Sequence, residues 1–211
     1  MKKALFAFLL GTLLFSAPAH ADGMSDGEPV TPLDAALVFC ATYPLQCKRT
    51  PDVRTAVEQS EVRDVVPAIQ QTVNFQIRPH ADPLEVWVDK LGKTHFVPGE
   101  VWTVIPKQKG PIWGDANRAP GDCDDYAVTK RARLLELGFP SGALRLARVL
   151  TEESAFHMVL VIVIKGHPNL VLDNRRIYPV EWKQLPYLWI EWQSASEPTM
   201  WVEIVTEKKK T

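Results

Sequence analysis

Cysteine is scarce: the 211 residues hold three. That is too few for a disulfide framework, and without any Cys-x-x-Cys or His-x-x-His spacing the chain offers no structural zinc site. No internal repeat and no low-complexity tract is present, so repeat architectures are excluded. An excess of basic charge is missing too. The 24 Lys and Arg stand against 25 Asp and Glu, and that balance points to neither nucleic acid nor an anionic membrane as partner. Beyond Phe15 no stretch is long and uncharged enough to span a bilayer.

What is present begins with an export signal. Lys2 and Lys3 precede an apolar run from Ala4 to Phe15, and Ala19 and Ala21 hold the small-x-small spacing that a signal peptidase reads. Residues 1–21 are therefore expected to be cut off after Ala21, and the run is shorter than the roughly 20 residues of a membrane span. The mature protein is expected to be soluble and periplasmic or secreted. Residues 22–31, small, polar and proline-containing, read as a flexible lead-in; residues 32–206 read as one domain, and residues 207–211, EKKKT, as a basic solvated tail.

Within the domain the apolar spacing changes character once. A short helix is expected from Pro32 to Cys40, with Thr31 as its cap. A longer one is expected from about Asp52, bent or divided at Pro67. LEVWV and THFVP around DKLGK read as a hairpin, followed by a loop rich in proline and glycine that carries Trp102 and Trp113. A helix from Asp122 to Leu137 has acids in its first turn, bases later and Gly138 as its C-cap. Five strands follow, in ALRLARVL, AFHMVLVIVI, NLVLDN, LWIEWQS and MWVEIV. The second is apolar on both faces, as a covered central strand is. Trp182, Trp189, Trp192 and Trp201 lie among the late strands and read as core. Helices first and strands afterwards predict an α+β domain with an antiparallel sheet.

Cys40 and Cys47, seven apart around a turn at Pro44, are the natural disulfide pair in an oxidising compartment. That leaves Cys123 at the first turn of its helix, where unpaired N–H groups and the helix dipole favour a thiolate. A free cysteine in such a place is otherwise a small core residue. His157 opens the central strand and Asp173 ends the next, the order that a nucleophile, a base and an orienting acid require. If the two strands form a hairpin around KGHPN, a register whose paired residue numbers have an even sum, such as 159 opposite 173, puts His157 and Asp173 on one face. A slip of one residue separates them. His80, His95 and His167 lie beside prolines or in polar loops and carry no expected role.

Asp122, Asp124 and Asp125 surround the cysteine with charge that opposes its ionisation. They suit a helix N-terminus as caps. A bound calcium would also resolve the conflict, since it prefers oxygen ligands and adds positive field near the sulfur.

GDCDDYAVTKRARLLELGFPSGALRLARV, HMVLVIVI and LVLDN, with VNFQIRP and FCATYPLQC upstream, resemble the bacterial transglutaminase-like cysteine proteinase family, the group of LapG-type periplasmic proteases. The resemblance runs from about Phe39 to Asn174. It implies a papain-like, transglutaminase-type fold and a triad of Cys123, His157 and Asp173. It also implies a calcium site that involves Asp122 and Asp124, with an upstream tryptophan that corresponds to Trp113. Members of the group cut large surface adhesins at a small-residue Ala-Ala site, release biofilm cells, and are restrained by an inner-membrane receptor that senses cyclic-di-GMP. The pattern departs from the family where Asp124 replaces a common glutamate, and in a longer segment between Arg78 and Pro120. The resulting expectation is an exported, calcium-dependent cysteine endopeptidase. Alternatives are a transglutaminase, in which an amine replaces water, and a catalytically silent calcium-binding interaction module.

Overall fold

The computed structural model describes residues 23–82, 100–110, 112 and 114–206, and the backbone of 84–88 and 94–98. The expected leader, the basic tail and Trp113 lie outside the described residues. In chain order the elements are β1 (Met24–Val30), α1 (Asp34–Thr42), α2 (Gln59–Val62), α3 (Val65–Gln76), β2 (Ile77–Pro79), β3 (Leu84–Val88), β4 (Thr94–Pro98), β5 (Ala119–Gly121), α4 (Cys123–Glu136), β6 (Leu144–Leu150), β7 (Phe156–Ile162), β8 (Leu170–Leu172), β9 (Val180–Glu181), β10 (Leu188–Gln193) and β11 (Trp201–Thr206). Seven of the strands form one antiparallel sheet in the order β1-β11-β10-β6-β7-β8-β9. This is the mixed helix and antiparallel-sheet architecture that the order of elements in the sequence predicts. None of the described helices is long and apolar enough to cross a membrane.

The alternation of side chains along β6 and β7 divides the core in two. Leu144, Leu146, Leu160 and Ile162 meet Val128 and Leu134 of α4 on one face, while Ala147, Val149, Val159 and Val161 meet Trp182, Trp189 and Trp192 on the other. A strand covered on both faces must be apolar at odd and even positions alike, which is why β7 lacks the polar alternation of a surface strand.

Three local expectations give way to longer-range contacts. Residues 24–30 of the supposed flexible lead-in form β1, the edge strand paired with β11, because Arg145 reaches across to bond Asp26 at 2.6 Å and Met24 packs into the second core face. The first helix starts two residues later than Pro32, at Asp34, with Leu33 in the cap position. The helix expected from Asp52 does not start there. Arg54 is held instead by Asp52 and Glu61, and Val57 bridges Ile164 through Val57 N to Val163 O at 3.0 Å and Lys165 N to Val57 O at 2.9 Å. Pro67 then sits in the first turn of α3, where its missing N–H has no intrahelical partner to lose. The hairpin of β3 and β4, the Cys40–Cys47 disulfide and the four buried late tryptophans are as the sequence suggests.

Candidate active site

The helix that carries the cysteine is built to an unusual specification: Asp124 to Leu134 are all buried. A helix enveloped on every side is ordinarily apolar all round, yet α4 carries Thr129, Lys130, Arg131 and Arg133. The order of charges along the sequence suggests complements to the helix dipole. The structure uses two of them as anchors for loop carbonyls: Arg131 Nε donates to Leu144 O at 2.9 Å and its Nη1 to Gln46 O, and Arg133 Nη2 donates to Ile105 O at 2.7 Å. Loop 100–106 is thereby drawn onto the helix, with Ile105 N donating to Thr129 Oγ1 at 2.9 Å and Thr103 N to Asp125 Oδ1 at 2.7 Å.

The N-terminus of α4 is closed by a reciprocal cap. The Asp122 carboxylate accepts the Asp125 backbone N–H, and Asp125 Oδ2 accepts the Asp122 backbone N–H at 3.2 Å. Both oxygens of Asp125 are therefore spent on structure. Asp122 Oδ1 and Asp124 Oδ2 are buried and have no partner among the described residues. The ligand atoms of Asp122, Cys123 and Asp124 lie within 4.8 Å of one another. Burial, then its neighbour Asp122, pushes the Asp124 carboxyl up to about 10, and burial pushes Asp125 up to about 7. Two orphaned carboxylate oxygens at one spot suit a hard divalent cation such as calcium, which takes oxygen ligands and would restore the charge balance. Asp122 and Asp124 are the residues fit to hold it.

Cys123 is the one free cysteine of the three. Its thiol is pushed up to about 12, first by burial and then by the charges of Asp124, Asp122 and Glu100, while a hydrogen bond with the Met158 backbone acts the other way. No hydrogen bond joins the sulfur to the His157 ring among the described residues; the sulfur instead meets β7 one residue further on. The two side chains share a cleft of about 490 Å³ whose walls include Glu100, Trp102, Arg148 and Phe156.

The other pair is in direct contact. β7 and β8 pair with Leu160 opposite Leu172, a register of even sum, so Asp173 is placed opposite Val159 and diagonal to His157 on one face. His157 Nε2 lies 2.9 Å from Asp173 Oδ1, with His157 7% and Asp173 0% exposed. With Nε2–H donating to the carboxylate, Nδ1 is left as an acceptor. Burial alone would raise the Asp173 carboxyl, but hydrogen bonds from His157, Tyr187 and the Arg175 backbone, with the charge of His157, hold it below its ordinary value.

Sequence reasoning missed Tyr187, which donates to Asp173 Oδ2 at 2.7 Å, and Gln70, whose Nε2 donates to the Asp173 backbone carbonyl at 2.6 Å. Neither has a local signal, since Gln70 lies 103 residues away along the chain. Glu100 and Trp102, in the loop read only as rich in proline and glycine, are brought to the cleft by the anchors on α4.

Similar solved structures are the calcium-bound LapG of Legionella pneumophila, 18% identical over 86% of this chain and 87% of that one with a TM-score of 0.46, and a second structure of LapG from the same organism, 15% identical over 82% and 88% with a TM-score of 0.42. An EGTA-treated form of LapG matches at 15% identity over 82% and 87%, again with a TM-score of 0.42. No curated protein matches. The family model described as bacterial transglutaminase-like cysteine proteinase matches residues 27–209. The chain belongs to that family of cysteine peptidases.

Proposed function

We propose that the protein is an exported calcium-dependent cysteine endopeptidase with Cys123, His157 and Asp173 as its triad. The observation that carries the reading is the buried 2.9 Å contact between His157 and Asp173 beside the cleft that Cys123 lines. Nδ1 of His157 takes the proton of Cys123 as the sulfur attacks a peptide carbonyl, and Asp173 stabilises the resulting imidazolium. His157 then returns the proton to the departing amine. In the second half it deprotonates the water that releases the acyl group from Cys123. The backbone N–H of Cys123, in the first turn of α4 and so without an intrahelical partner, is placed to bind the developing oxyanion.

Asp122 and Asp124 would hold a calcium ion, which when bound would supply positive charge beside the thiol and make the neutralised acidic cluster compatible with a thiolate. The leader ending at Ala21 supports a periplasmic location. Membership of the family supports the finer proposal that the substrate is a large surface adhesin cut at an Ala-Ala site, and that an inner-membrane receptor sensing cyclic-di-GMP restrains the enzyme. The test is cleavage of an adhesin fragment bearing an Ala-Ala site by the wild type, by Cys123→Ala, and by the wild type with excess chelator. Cutting by the untreated wild type alone is expected; cutting by Cys123→Ala would remove the nucleophile, and unchanged cutting under chelation would remove the metal.

A further inference from the structure

The two oxygens of Asp173 are served unequally. Oδ1 accepts two N–H groups, from His157 at 2.9 Å and from the Arg175 backbone at 2.8 Å. Oδ2 accepts one donor among the described residues, the Tyr187 hydroxyl at 2.7 Å. The Tyr187 ring also stands edge-on to the His157 imidazole, with centroids 5.9 Å apart at 74°, and leans on Trp189 at 6.3 Å. Tyr187 therefore touches both members of the pair and is itself steadied by the second core.

A buried carboxylate must have its oxygens satisfied or take up a proton. With Oδ2 bare, Asp173 would relieve itself by protonation. The proton would sit on the bare Oδ2, Oδ1 would become the weaker acceptor of a neutral acid, its hold on Nε2–H would loosen, and the ring proton would spread to Nδ1, the atom that has to accept from Cys123. We propose that Tyr187 is a positioning residue that, by occupying Oδ2, keeps Asp173 ionised and His157 in the tautomer with Nδ1 free; this rests on the triad reading above. The charged and titratable groups around Asp173 are His157 from β7, Arg175 and Arg176 after β8, and Lys130 from α4, while α3 offers only the uncharged Gln70 and Asn74. Arg175 is half-exposed and pairs with Glu153 at 3.3 Å, so it is a weak substitute for the hydroxyl. Consistent with the geometry, the Tyr187 phenol is held above its ordinary value by burial and by the hydrogen bond it gives to Asp173.

Tyr187→Phe deletes the hydroxyl and keeps the ring. The readouts are the ring-nitrogen NMR signals of His157 and the rate of Cys123 alkylation by iodoacetamide, both across pH in the same calcium-containing buffer. In Tyr187→Phe the Nδ1–H tautomer is expected to grow in as the pH falls, and alkylation to drop about tenfold near pH 4.5 while staying within about threefold of wild type near pH 8.5, as a carboxyl whose titration has moved up from below 3.8 past that pH requires. In an Asp173→Asn background the same substitution should change the rate by less than about twofold, because no ionisation remains to protect. An unchanged tautomer and a superimposable profile would overturn the inference, and so would an equal loss at every pH, the sign of a merely structural role. Should Tyr187→Phe fail to fold, wild type alone decides: an Nδ1–H tautomer near pH 6 overturns it. If wild type is no faster than His157→Ala, the triad reading itself falls; if wild type is fast and Tyr187→Phe is silent, only the role of Tyr187 falls.

Discussion

A methyl group on Gly121 would lie 2.7 Å from Oδ2 of Asp125, the atom that caps the Asp122 backbone. The glycine two residues before the cysteine is thus required by a close approach. Gly121→Ala should push Asp125 out of the cap, cost about 1 kcal/mol of stability, and slow alkylation of Cys123 by misplacing the first turn of α4. Thermal melting and the iodoacetamide rate check both; a variant with wild-type melting and rate would show that the cap is dispensable.

Calcium should raise the melting temperature of the wild type, since a ligand that binds only the native state stabilises it by mass action. Asp122→Asn and Asp124→Asn should each lose most of that response, whereas Asp125→Asn should lower the melting temperature without calcium and retain the response. Calorimetric titration separates the two behaviours. Equal calcium binding by all three variants would place the ion elsewhere.

Lys130 sets a pH-dependent cost. Its ammonium is 0% exposed, has no hydrogen-bond partner among the described residues, and burial pushes it down to about 7 against the pull of Asp173. The folded value lies below the unfolded 10.5, so the unfolded state binds more protons between about 7 and 10.5, and Lys130 makes stability rise with pH across that window. Lys130→Met removes a buried cation and should raise the melting temperature, by more at pH 6 than at pH 10. A melting temperature that drops at both pH values would mean that the ammonium is a net stabilising element.

Phe156 stands at the rim of the cleft, 67% exposed, with the Arg148 guanidinium 5.0 Å from its ring centre. An exposed aromatic next to the proposed base, on no core face, is placed to meet substrate. Phe156→Ala should raise KM for a cleaved peptide about tenfold with kcat within about threefold and no loss of stability. A fall in kcat alone would assign the ring to the geometry of His157 instead.

Much of this was legible in the residues because it is local. Gly138 closes α4 as its place past the last helical turn announces, with Gly138 N to Leu135 O at 3.0 Å; the structure adds Phe139 N to Leu134 O at 3.1 Å. The two-faced apolarity of β7 marks it as central, and the parity of 157 and 173 needs only an even register to bring the pair together. These are statements about neighbours along the chain or across one hairpin, where periodicity carries the information.

What only the tertiary structure decided involves partners that periodicity cannot name. Residues 24–30 are polar enough to read as a lead-in, and they become a strand because β11 offers an unpaired edge and Arg145 a charge for Asp26. Lys130, Arg131 and Arg133 read as charges that suit the helix dipole, and all three are buried, the two arginines bonded to loop carbonyls that arrive from elsewhere in the chain. Tyr187 and Gln70 reach Asp173 from segments whose own patterns say nothing of it. The sequence by itself determined the helix of the proposed nucleophile, the strand order of the proposed base and acid, and the acidic surroundings of the thiol. The seat of the acid was set by packing, since a buried carboxylate takes whichever donors the fold brings within reach.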